Sequence, residues 1–156
     1  MSLVPSWAPN LHPLVIHFPI VLLISAVAID LLDTIFKRPA WLGSAATSLY
    51  VVGAAAAAAA YLTGLQAGST VFIPGMAHPD IADHSRWALG TTWYFAATAI
   101  VRFALRGSGS NRARSHRILL VTAGVIGVLC LQQTAERGAR LVYKHGVGVI
   151  AAPGSP

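Results

Sequence analysis

Three of the six histidines in this sequence stand where an apolar run begins or ends, and a fourth lies inside one. His12 opens the stretch NLHPLVIHFPIVLLISAVAIDLLDTIF, His17 lies inside it, His84 opens the third apolar run and His145 follows the fourth. A neutral imidazole is a metal ligand or a proton carrier, and an ionisable side chain in a membrane span marks a functional site by default. His12 and His17 are five residues apart, about 140° around an ideal helix, so the two look toward different partners. His78 and His116 fall in polar loops and read as solvated surface residues. Imidazoles arriving from separate helices suit the two faces of a haem iron. His12, His17, His84 and His145 would then serve one or two haem b groups as metal ligands. A ring passing the backbone needs small residues, and Gly90, six positions after His84, supplies one, with Gly124 and Gly127 supplying more. Arg86 and Arg140, with Arg137 or Lys144, are the cations available to propionates. The plain alternative for each is a snorkelling charge. Copper or zinc bound by the same histidines is the alternative chemistry, although only Asp80 and Asp83 add carboxylates nearby and there is one cysteine, Cys130.

These side chains need rigid elements to position them. Hydrophobic residues make up 55% of the chain and charged residues 10%, far below the roughly 25% charged residues of soluble domains. The pattern predicts an all-α integral membrane protein, a four-helix antiparallel bundle forming one domain over 1–156, with spans near 13–36, 41–64, 84–106 and 117–137. A span needs ~20 apolar residues to cross ~30 Å of hydrocarbon. No basic n-region or small-residue cleavage site precedes the first run, so no removable signal peptide is expected. The net charge of +6 is not a nucleic-acid footprint. Lys37, Arg38 and the arginines from Arg102 to Arg117 flank two loops, while the segment ahead of the first run and that between Gly64 and Ser85 carry no Lys or Arg. Basic loops stay in the cytoplasm, so both termini are expected on the periplasmic side of a bacterial inner membrane, together with the four histidines.

The prolines beside the first histidines set local geometry. Pro13 suits the first helical turn. Pro19 lacks an N–H for the Val15 carbonyl and is expected to kink the helix beside His17. Asp80 or Asp83 is expected to cap the third helix. The run Gly53–Ala60, seven alanines after a glycine, favours close helix packing. Asp30 and Asp33, near the inner end of the first helix, are expected to be hydrated. Whether residues 133–145 continue the fourth helix or stop at Gly138 stays open.

Taken together, HPLVIHFPI at the start, DHSRWALG in the middle and LVYKHGVGV at the end resemble the bacterial membrane family known as domain of unknown function 2231. Its members carry HPxxVHFPIAL and LVYxHGVGV; Ile16 and Val21 are mild departures. The resemblance covers nearly the whole chain. It implies a four-helix membrane domain whose family histidines map onto His12, His17, His84 and His145. The function expected from these readings is a b-type cytochrome-like electron-transfer protein or subunit, with bis-histidine haem near the periplasmic face. Its partners would be the lipid bilayer and quinol or a periplasmic redox protein. The alternatives are a copper- or zinc-binding membrane protein and an accessory subunit of a larger respiratory or photosynthetic complex.

Overall fold

The computed structural model describes residues 10–36, 41–105 and 114–149. Helix α1 (His12–Val15) and helix α2 (His17–Phe36) form one apolar rod interrupted at Ile16. The interruption falls beside His17, where Pro19 can offer no N–H to the Val15 carbonyl, while Ile16 itself keeps helical angles, φ −60° and ψ −25°. Asn10 tethers the start of the rod, its Oδ1 accepting from the His12 N–H at 3.1 Å. His12 is itself the first helical residue, with Pro13 behind it in the first turn.

Helix α3 (Trp41–Thr70) is 30 residues long and runs past Gly64, an extent of about 45 Å at ~1.5 Å per residue. A short 3₁₀ turn (Gly75–Ala77) leads into α4 (His78–Ala104). The expected aspartate cap is not used: Ala77 precedes the helix and makes no side-chain cap, with Pro79 in the first turn. Asp80 and Asp83 instead enter ion pairs with α5 and the turn that follows it. Helix α5 (Arg114–Tyr143) continues through Gly138, which closes the question left open by the sequence. Each helix packs on its neighbour in sequence, and α5 returns to α2 to close a four-helix bundle.

Three helical segments, His12–Phe36, Trp41–Thr70 and His116–Tyr143, are long and apolar enough to cross a membrane. Among the described residues α4 is not a fourth. The segment expected to span at 84–106 is present as a helix but is more polar than its partners. Two of its polar groups are sheltered by them: Thr91 is bonded to α5 and Arg102 is only 2% exposed. Large aliphatic side chains such as Val21, Leu62, Ile100 and Leu119 lie on the outside, as expected of a body solvated by hydrocarbon.

Leu23, Ala26, Val27, Tyr50, Ala54, Phe95 and Ala99 form the central core. Tyr50 lies on Gly124, and Phe95 lies on Gly127. The space that these glycines open is therefore taken by aromatic rings, which corrects their expected role beside a cofactor. Asp30 also departs from expectation. It is 6% exposed rather than hydrated, and its Oδ1 accepts from Arg102 Nη2 at 2.6 Å. The ring of Tyr50 lies under that guanidinium, 4.5 Å from centroid to Cζ.

Candidate functional site: two tethered imidazoles on one cavity

A cavity of about 570 Å³ opens at the end of the bundle where α1 begins, and all the helices contribute to its wall. That volume falls within the range of cofactor and ligand pockets. Its lining is mostly apolar, with Ile16, Ile20, Ala57, Ala60, Leu131 and Ala135 among the wall residues. Two imidazoles enter it, His12 from α1 and His84 from α4.

Both rings are fixed in the same way. His12 Nδ1 lies 3.2 Å from Thr63 Oγ1 on α3. The single hydroxyl proton of Thr63 is already donated within its own helix, to the carbonyls of Ala59 and Ala60 at 3.0 Å. Thr63 Oγ1 can therefore only accept from the ring, and Nδ1 is the donor. His84 Nδ1 lies 3.1 Å from the Thr134 carbonyl oxygen on α5, and a carbonyl also only accepts. Each neutral imidazole thus carries its proton on Nδ1 and keeps a lone pair on Nε2. Among the described residues no hydrogen bond occupies either Nε2.

Glycines seat both rings. A Cβ placed on Gly64 would come within 3.0 Å of His12 Cε1, and one on Gly138 within 3.1 Å of His84 Cε1. Each histidine–threonine pair joins the two helices of one hairpin, and the separations along the chain are 51 and 50 positions. The two halves are alike in plan, a histidine on the first helix bonded to an oxygen of the second and seated on a glycine there, but the oxygen is a side-chain hydroxyl at Thr63 and a main-chain carbonyl at Thr134. Residue types alone do not single out Thr63, Gly64, Thr134 and Gly138. The intervals from His12 and from His84 are similar without being equal, 51 and 50 positions to the threonines, so the sequence carries no clear signal for them.

The remaining expected residues lie elsewhere. His17 is on the exposed face of α2 and does not line the cavity, as its angular offset from His12 requires. Gly90 is on the exposed face of α4, with nothing within 4 Å of the position a Cβ would take. Arg86 is an exposed side chain paired with Asp83 at 3.3 Å, and Arg140 pairs with Glu136. Neither lines the cavity. Arg137 is held by Asp83 at 2.6 Å and lies over the Trp87 ring. Among the described residues no group of three or more His, Cys, Asp or Glu gathers as a metal cluster.

His145 does different work. Its side chain is 5% exposed, and its Nε2 lies 2.7 Å from Asp80 Oδ2 at the start of α4. That hydrogen bond, together with the nearby Lys144 and Arg140 charges, holds the Asp80 carboxyl below the ordinary carboxylate range. The pair anchors a hook. Gly146 takes φ 64°, the left-handed conformation that ends helices. The N–H groups of Gly146 and Val147 bond back to the carbonyls of Val142 and Leu141 at 2.9 Å. The turned-back Val147, Gly148 and Val149 then form part of the cavity wall.

No curated protein and no solved structure matches the chain. Residues 8–151, which hold the two imidazoles, their tethers and the hook, match the family described as predicted membrane protein (DUF2231), and the chain belongs to that family.

Proposed function

We propose that this membrane protein is a b-type cytochrome-like electron carrier or subunit, in which His12 and His84 hold one haem b in the cavity between the two hairpins. The observation that carries the reading is the pair of neutral imidazoles, each tethered through Nδ1 and each offering an unoccupied Nε2 lone pair to one apolar space. An exposed Nε2 lone pair is the donor that iron takes, and a hydrogen-bonded Nδ1–H is the usual device that orients such a ligand and raises its basicity. When bound, the haem supplies one-electron redox chemistry. The chain's own residues orient the two ligands, seat their rings on Gly64 and Gly138, and line the space between them with aliphatic side chains. Two ligands serve one haem, and the placement of His17 on an outer face and His145 on Asp80 favours one over two.

A copper or zinc site is less well supported, because such ions take three or four protein donors and the cavity gathers two. The distribution of basic residues supports an inner-membrane setting with the cavity toward the periplasm. Electrons would then exchange with quinol or a periplasmic redox protein, within a larger complex or alone. A reduced-minus-oxidised absorption spectrum of the purified chain tests the proposal. Soret and α-band changes are expected in the native protein and in His17→Ala. They are expected to be lost in His12→Ala and His84→Ala. A native protein purified with haem available, yet silent on dithionite addition, refutes it.

A further inference from the structure

At the opposite end of the bundle from the cavity, Asp30, Tyr50 and Arg102 meet in the interior. Arg102 is 2% exposed, Asp30 6% and Tyr50 0%. One contact joins the ion pair, Arg102 Nη2 to Asp30 Oδ1. Among the described residues Asp30 Oδ2, Tyr50 Oη, Arg102 Nε and Arg102 Nη1 are buried with no hydrogen-bond partner. The Tyr50 hydroxyl lies beside the Asp30 carboxylate without closing a hydrogen bond of good geometry. A guanidinium has five N–H donors and no acceptor, and a carboxylate only accepts. Charged groups left this way in a hydrocarbon-embedded core are costly, and buried orphan atoms in native structures commonly mark bound water or an ion.

The chemistry of the open atoms selects the ligand. A halide would satisfy the two guanidinium donors but would face Asp30 Oδ2 as a like charge. A metal cation would satisfy Asp30 and be repelled by Arg102. A small neutral molecule that both accepts and donates meets all four. We propose that the Asp30–Tyr50–Arg102 cluster is a buried hydration site that holds one or two ordered waters between α2, α3 and α4. A buried water makes ~3 hydrogen bonds, which accounts for four open atoms with one or two molecules. The ion pair alone cannot, because each side chain has spent only one of its atoms on the other. The site is independent of the haem reading and lies in the part of the bundle with no cavity histidine.

The test is a structure of the full chain in lipid or detergent, at a resolution where ordered waters are visible elsewhere in the protein. Water density is expected within hydrogen-bonding distance of at least two of the four atoms. Tyr50→Phe should retain it at Arg102 and Asp30. The double variant Asp30→Leu/Arg102→Leu, which removes both charges together, should abolish it. In solution, magnetisation transfer from water to Arg102 Nε–H is expected in the native protein and in Tyr50→Phe. A native map with waters elsewhere and none here overturns the proposal, as does absence of transfer from water. An anomalous bromide peak at the cluster after halide soaking overturns the neutral ligand.

Discussion

Gly138→Val is expected to abolish cofactor retention while leaving the bundle folded, and Gly90→Val is expected to change neither. The two glycines occupy neighbouring helices and the same substitution is made at each. A Cβ on Gly138 would lie 3.1 Å from His84 Cε1, 3.5 Å from Nδ1 and 3.7 Å from Nε2, whereas nothing lies within 4 Å of a Cβ on Gly90. An alanine would push the ring by a few tenths of an ångström. The two further methyl groups of valine cannot be met that way, so the imidazole must leave its seat and the 3.1 Å bond to the Thr134 carbonyl breaks. Losing an orienting partner of a ligand histidine costs about 10- to 100-fold in metal affinity. Displacing the ligand itself costs more, so binding of added haem should fall by at least ~100-fold for Gly138→Val. The assay is haem titration into the apoprotein followed at the Soret band, with haem-to-protein stoichiometry from pyridine haemochrome and helicity by circular dichroism as the fold control. Equal haem binding by Gly138→Val and the native chain would refute the claim that this glycine seats a ligand. Loss in Gly90→Val as well would mean that the helix, rather than the ring, is being disturbed.

Thr63→Val removes the acceptor for His12 Nδ1–H and should weaken haem binding by roughly 10-fold, the lower end of what losing an orienting partner of a ligand histidine costs, with Thr63→Ser close to native. Arg102→Leu leaves the Asp30 carboxylate buried without its guanidinium and should destabilise the bundle by about 3–5 kcal/mol, read in denaturant titration. Asp30→Leu/Arg102→Leu should recover much of that loss. The hook has a signed pH dependence. Because Asp80 is held below its ordinary value by His145, the contribution of that carboxylate is present above the ordinary aspartate pKa of about 4 and disappears as pH falls through the lower, folded-state value. Proteolysis after residue 143 should therefore stay constant from neutral pH down to about 4, rise below it, and be fast at neutral pH in Asp80→Asn.

The helices were legible because ~20-residue apolar runs leave little choice in a bilayer, and the interruption at Ile16 because Pro19 withholds a donor. Half of the candidate site was equally legible: His12 and His84 stand out as ionisable groups at the heads of helices. Their tethers were hidden because threonine and glycine are ordinary residues in membrane helices. Only tertiary packing distinguishes Thr63 from Thr70, or Gly138 from Gly90. His145 misled because a motif signals that a side chain is needed without saying whether it clasps a metal or a carboxylate. Asp30 misled because depth estimated along one helix does not reveal that α4 carries an arginine to meet it.

Among the described residues, His12 and His84 each receive their aim from the other arm of their own hairpin. Cutting the backbone between residues 70 and 75 would therefore leave two fragments, each carrying a correctly pointed ring and half a container. If the proposed haem binds, neither fragment alone has a reason to be coloured; mixed in one bilayer, the pair should regain the spectrum expected of the intact chain, with the haem as a staple between them.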